Sequence, residues 1–232
     1  ERAGIPVEKY REIAHGYIQE AIAEHFKLIM IRPDMVADAR KTIDQEGSKV
    51  LVGTVIGFPE GTYSIDEKMA EAKQAILNGA DELDFVVNYP MYKRGKTETV
   101  AEEVRRCTEL TLNAGKTAKW ILETAALRED EIEGLSELIR DVVLENFGEA
   151  NASRVFRKTS TGCYKAENGK PSGATIEAVK IMKEYGSPLP VKAAGGVRDM
   201  ETAKRMIEAG VTRIGTSSAK NLADGQSASS AY

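Results

Sequence analysis

The stretch 189–215, LPVKAAGGVRDMETAKRMIEAGVTRIG, holds one complete structural unit. It opens on an apolar run at 189–193 and turns at Gly195-Gly196. It continues over 199–209 with Ala203, Met206 and Ile207 at helical spacing, breaks at Gly210, and ends on a second apolar run at 211–215. A buried strand, a glycine turn, an amphipathic helix closed by glycine and a second strand make a βαβ unit, whose strands pair in parallel. The same punctuation recurs upstream. Runs at 27–31, 50–55, 83–87, 118–122 and 153–157 bring the strand count to seven, and 66–79 reads as another helix, with Met69, Ala72, Ile76 and Leu77 on one face and Asn78-Gly79 at its end. Ahead of the first strand, Tyr10, Ile13, Ala14, Tyr17, Ile18, Ala21 and Ile22 follow Pro6 at three- and four-residue steps, which predicts an N-terminal helix within 1–25.

Strand alternating with helix over 232 residues fits a single α/β barrel domain. The hydrophobic share of 42% is enough for a sizeable core, and no apolar run reaches the roughly 18 to 20 residues that span a bilayer. A net charge of -4 argues against nucleic-acid or membrane partners, since either demands a basic face. Cys107 and Cys163 form no disulfide framework, which points to a reduced, cytoplasmic setting. With His15 and His25 as the only histidines, a three-histidine metal site has too few ligands, so no metal is expected. The chemistry then rests on side chains.

In a barrel the loops after the strands build the active face. Lys158 stands at such a strand end, in Phe156-Arg157-Lys158-Thr159-Ser160-Thr161-Gly162. Alternation separates it from Arg157 and Val155 and places it with Phe156. Alone, a lysine there is usually a surface residue. Lys192, however, occupies the equivalent place one strand later, in Val191-Lys192-Ala193-Ala194-Gly195-Gly196. Two inward ammonium groups about 5 to 6 Å apart repel by about 3 kcal/mol at an effective dielectric near 20, which favours the free, nucleophilic amine on Lys158. Asp84 adds an acid inside the run Leu83-Asp84-Phe85-Val86-Val87, on the face opposite Leu83, Phe85 and Val87, where it needs a cationic partner such as Lys192 or a substrate hydroxyl. Its alternative reading is a salt bridge that only organises the core. Glu123 is a further candidate member of the network.

Three glycine-containing turns share this end: Ser160-Thr161-Gly162, Gly195-Gly196 and Gly215-Thr216-Ser217-Ser218. Backbone N–H groups and hydroxyls there can hold a phosphate ester on an otherwise acidic protein. The phosphate set is therefore Gly162, Gly195, Gly196, Gly215, Ser217 and Ser218.

The runs KTSTG (158–162), VKAAGGVR (191–198), IGTSS (214–218), ELDFVVN (82–88), VGTVIGFPEG (52–61) and GADELD (79–84) together resemble the deoxyribose-phosphate aldolase family over residues 26 to 218. The resemblance implies a (β/α)₈ TIM barrel and reversible cleavage of 2-deoxy-D-ribose 5-phosphate to acetaldehyde and D-glyceraldehyde 3-phosphate. It further implies that Lys158 forms a Schiff base, that Lys192 favours its free-amine form, that Asp84 joins the proton relay and that no cofactor is required. Some features depart from the family pattern. Neither a strand nor the family's Asp-x-Thr element is found before residue 26, so seven strands are one short of the usual barrel. Arg157 replaces an aliphatic residue and is expected to snorkel or pair with an acid. Met30 stands in place of a cysteine, 163–173 is long and polar, and the 219–232 tail ends in Tyr232. Two other readings stay open: a catalytically impaired sugar-phosphate-binding barrel, and another barrel enzyme acting on phosphorylated sugars. Outward apolar positions raise a homodimer as a candidate assembly.

Overall fold

The computed structural model describes residues 6–166 and 171–225. Seven strands form one parallel sheet in chain order: β1 Leu28–Ile31, β2 Leu51–Ile56, β3 Glu82–Val86, β4 Thr117–Ile121, β5 Val155–Lys158, β6 Val191–Ala194 and β7 Arg213–Gly215. The helices are α1 Val7–Ala23, α2 Val36–Gln45, α3 Ile65–Leu77, α4 Tyr89–Lys93, α5 Thr97–Asn113, α6 Glu129–Phe147, α7 Ile176–Gly186, α8 Met200–Glu208 and α9 Ala219–Ala223. The sheet is a curled half-barrel of the TIM-barrel type, and no described pairing joins β7 to β1. No described helix is long and apolar enough to cross a membrane.

Period-two alternation sorts each strand onto two faces. The outer face carries Leu83, Phe85, Ala118, Trp120, Val155, Val191 and Ala193, all wholly buried beneath the helices. Phe85 stacks on Trp120 at 5.0 Å, and the indole N–H of Trp120 donates to Thr108 Oγ1 of α5 at 3.0 Å. The helices start where side chains satisfy their first free N–H groups. Ser64 and Glu67 form a reciprocal capping box on α3, and Thr175 and Asp199 accept from Ala178 N and Thr202 N on α7 and α8. Lys68 of α3 is wholly buried and donates to Gly61 O, Val86 O and Glu103 Oε1 at 2.7, 2.6 and 2.5 Å. That contact fixes the C-terminal end of β3 and the loop before α3.

The N-terminal helix leans against the open side of the sheet. Its Ala14, Ile18 and Ala21 are buried, whereas Ile13 and Tyr17 line a cavity of about 490 Å³ that also touches β1 and β7. Glu24, just past α1, pairs with Lys220 of α9 at 2.5 Å. Residues 167–170 of the polar loop and 226–232 of the tail, including Tyr232, lie outside the described residues.

Arg157 corrects the sequence reading, because it neither snorkels nor finds an acid. Its side chain is wholly enclosed under α6 and α7, Nη2 donates to Leu189 O at 2.5 Å, and Nε and Nη1 have no partner. Burial, with Arg140 nearby, lowers its proton affinity. The strand end leaves no path to water, and a side chain at Gly186 would collide with the guanidinium. An enclosed cation with one neutral acceptor costs stability, and apolar replacements of buried charged groups often stabilise by about 1 to 4 kcal/mol. Arg157→Met, which keeps the stem volume, is therefore expected to raise the melting temperature by about 2 °C or more. A calorimetric scan checks this, and a lowered midpoint would contradict it.

Candidate active site

The inner face of the sheet is built of charge. Asp84 points inward from β3, wholly buried, and register sets Lys119 of β4 beside it and Lys192 of β6 beside Lys158 of β5. Asp84 Oδ1 accepts from Lys119 Nζ at 2.5 Å, while Oδ2 accepts from both Lys158 Nζ and Lys192 Nζ at 2.9 Å. One layer below, Glu82 Oε2 pairs with Lys119 at 2.6 Å and with Arg213 at 3.2 Å, and the Arg213 guanidinium stacks over Phe156 at 5.4 Å. The structure thus brings Lys158, Lys192 and Asp84 into direct contact.

Lys119 is the member that sequence reasoning missed. It lies inside the apolar run AKWIL, and the available signal was the one that singled out Asp84: a charge at an inward position of a buried strand. Its presence changes the electrostatics. Four cations (Lys119, Lys158, Lys192, Arg213) face two carboxylates (Asp84, Glu82), and Glu82 neutralises the lower part of the cluster. Lys158 and Lys192 are left sharing a single oxygen. Burial alone would raise the Asp84 carboxyl, but Lys119, Lys158 and Lys192 overturn that and hold it well below the usual carboxylate range. Burial lowers the Lys192 ammonium to about 7, against the raising effect of Asp84 and with Lys158 and Lys119 adding to the drop. The weakened ammonium is thus that of Lys192, the neighbour with which Lys158 shares one carboxylate oxygen. Because both amines donate to one oxygen, proton loss near neutrality belongs to the cluster.

Around this cluster the strand ends are tied together. Thr159 Oγ1 donates to Ala194 O at 3.1 Å and accepts from Ala194 N at 3.0 Å, locking the tip of β5 to that of β6. Glu123 makes no direct ion pair with the lysines, although the charge of Lys158 acts on it. Held at φ 59, it accepts from Thr161 N at 3.1 Å and from the Thr161 hydroxyl, which shapes the 160–162 turn; burial raises its pKa. Gly162 and Gly195 adopt φ of 83 and 82, a region that side chains with a Cβ rarely occupy, and a Cβ on Gly195 would stand 3.0 Å from Gly173 Cα and 3.7 Å from Gly162 Cα. These two turns therefore pack backbone to backbone, with Gly196 at φ 79 beside them. The third turn is tied to the second, because Thr216 Oγ1 donates to Val197 O at 2.8 Å and accepts from Ser218 N at 3.0 Å. At Gly215 a Cβ would lie 2.9 Å from Lys192 Cε, so the glycine makes room for that lysine. Gly215 and Ser217 line the same cavity as Lys192.

Comparison with known proteins gives this arrangement its relatives. Residues 8–224 match the model of the family described as DeoC/LacD family aldolase. The chain is 40% identical over 216 residues to deoxyribose-phosphate aldolase 2 of Staphylococcus aureus (strain COL), covering 93% of this chain and 89% of the relative. Among solved structures, one from Coccidioides immitis, provisionally assigned as a deoxyribose-phosphate aldolase, superposes with a TM-score of 0.77 at 35% identity, covering 89% of this chain and 76% of the other. A deoxyribose phosphate aldolase from Aeropyrum pernix gives 0.73 at 28% identity, covering 89% and 80%. Matching sequence across nearly the whole chain and matching parallel-sheet architecture make the same assignment: this chain belongs to the DeoC/LacD family of aldolases.

Proposed function

We propose that the protein is a lyase that reversibly cleaves 2-deoxy-D-ribose 5-phosphate to acetaldehyde and D-glyceraldehyde 3-phosphate through a Schiff base on Lys158. The observation that carries the reading is the single Asp84 oxygen shared by Lys158 and Lys192. It leaves one amine of the pair able to lose its proton near neutral pH without leaving the site.

In this reading the free amine of Lys158 attacks the C1 aldehyde of the open-chain sugar, and loss of water gives an iminium. The C3 hydroxyl then gives up its proton and the C2–C3 bond breaks. Its electron pair moves into the iminium to form an enamine, and glyceraldehyde 3-phosphate departs. Protonation of the enamine at C2 and hydrolysis release acetaldehyde and restore the lysine. Lys192, weakened to about 7, suits a group that accepts a proton and returns it at neutral pH. Asp84, held ionised, is a fixed counter-charge that keeps both amines in register. The phosphate is held by Gly162, Gly195, Gly196, Gly215, Ser217 and Ser218, whose turns rim the same strand ends.

A coupled assay for glyceraldehyde 3-phosphate release tests the reading: turnover supports it, and no release from 2-deoxy-D-ribose 5-phosphate overturns it. The pH dependence is a second check. Below about 7 the cluster carries its extra proton, so kcat/KM is expected to fall about tenfold per pH unit on the acid side and to level off above neutrality. A profile flat from pH 5 to 8 would remove the Lys158–Lys192 cluster as the titrating element.

A further inference from the structure

Among the described residues three enclosed side-chain oxygens have no hydrogen-bond partner: Ser136 Oγ on α6, and Glu123 Oε1 and Ser160 Oγ, each two residues past its strand, β4 and β5. The last two belong to one place. Glu123 leans across to the tip of β5, where its other oxygen, Oε2, accepts from Thr161 N at 3.1 Å and from the Thr161 hydroxyl, which brings the carboxylate to the residue next to Ser160. Lys158 stands two residues before Ser160, and its charge acts on Glu123. On the other side, Tyr89 of α4 feels the Glu123 charge, Tyr164 packs edge-on against Tyr89 at 6.5 Å, and Lys93 is taken by Ala126 O at 2.7 Å. Shaping the 160–162 turn uses Oε2 alone and leaves Oε1 to be explained. Glu123 also holds φ 59, a strained region that residues with a Cβ keep mostly at functional sites. Buried oxygens need partners, and an acceptor and a hydroxyl at one place can share a single water molecule.

We propose that Glu123 and Ser160 seat the water that leaves and re-enters the Schiff base of Lys158, with the Glu123 carboxyl carrying its proton. When the carbinolamine on Lys158 dehydrates, the C–O bond breaks, the nitrogen lone pair closes the C=N bond, and the departing oxygen takes a proton from the Glu123 carboxyl and leaves as water. Hydrolysis runs the same step backwards. The seated water adds to the iminium carbon, the π pair of the C=N bond returns to nitrogen, and the Glu123 carboxylate takes the proton that the water gives up. Burial raises the proton affinity of Glu123 against the lowering effects of Thr161 and Lys158, which suits a carboxyl that donates a proton in the first step. The inference rests on the aldolase reading above and deepens it: Lys192 serves the C–C bond and Glu123 the C–O bond. Glu123 is then a catalytic residue and Ser160 a positioning residue.

The test follows the Lys158 adduct in time. Native protein, Glu123→Gln and Ser160→Ala are mixed with acetaldehyde and quenched with borohydride at increasing intervals, and each is also diluted out of acetaldehyde before quenching, so that formation and hydrolysis are read separately. Glu123→Gln keeps an oxygen for Thr161 but carries no acidic proton, so both rates are expected to fall about a hundredfold or more while the final amount of adduct stays at the native level. Ser160→Ala is expected to slow both about tenfold. A purely turn-shaping role for Glu123 would instead lower the final amount by misplacing Lys158, and would leave the rates of Ser160→Ala native. Slowing in one direction only, or that pattern, overturns the inference. Ser160→Ala leaves the Glu123–Thr161 bonds in place and decides alone where Glu123→Gln melts early. Native protein that yields no adduct overturns the aldolase reading together with this inference, whereas a native adduct with unchanged rates in the variants overturns the inference alone.

Discussion

Lys158→Met is expected to lower kcat/KM for 2-deoxy-D-ribose 5-phosphate by about 10⁴-fold or more while leaving the fold as stable as before, or more so. The two halves of this expectation have different causes. Activity falls because, in the proposed reading, Lys158 is the amine that becomes the iminium accepting the electron pair of the breaking bond, and removing a nucleophile removes the whole path rather than one contact. Stability holds because the inner face carries four cations against two carboxylates, so deleting one buried ammonium relieves repulsion while methionine keeps most of the packing. Turnover assays and thermal melts on the same preparation check both. A variant that loses activity only because it melts early would contradict the charge assignment.

Asp84→Asn should do the reverse to the fold. It leaves Lys119, Lys158 and Lys192 packed around a neutral amide, and breaking a buried charge pair on one side costs about 3 to 5 kcal/mol. The loss is expected to depend on pH with a definite sign. Without the carboxylate the folded-state lysines hold protons less firmly than the unfolded chain does. The unfolded state then binds more protons, and stability recovers as pH rises. Denaturant titrations at pH 6 and pH 9 check this: the deficit relative to the native protein should be larger at pH 6. Turnover should fall at least about a hundredfold, because Lys158 and Lys192 no longer share a common anchor. A deficit of equal size at both pH values would mean that Asp84 is not the counter-charge of the cluster.

The strands were legible in the sequence to within one or two residues because a parallel sheet covered on its outer face writes itself as continuous apolar runs. Alternation within β3 was enough to turn Asp84 inward, and alternation at the tips of β5 and β6 was enough to do the same for Lys158 and Lys192. Lys119 was hidden by the opposite logic. In AKWIL the apolar neighbours dominate the reading, and only the register Asp84↔Lys119, set by strands 35 residues apart, shows that its charge has a partner. Arg157 failed for a related reason, since alternation puts it on the helix side but says nothing about how deeply α6 and α7 cover it. The N-terminal helix shows the limit most clearly. Its periodicity fixes that it is a helix, yet Ile13 and Tyr17, read as part of one apolar stripe, remain 42% and 43% exposed beside a cavity rather than closing the core. Periodicity gives a face; which surface meets that face is a long-range fact.

The measurement that tests the account most directly is reductive trapping. Native protein incubated with acetaldehyde and borohydride should yield one N-ethylated lysine, which peptide mapping assigns to Lys158, while Lys158→Met gives no adduct. An adduct on Lys192 in place of Lys158, or native protein left unmodified, would contradict it.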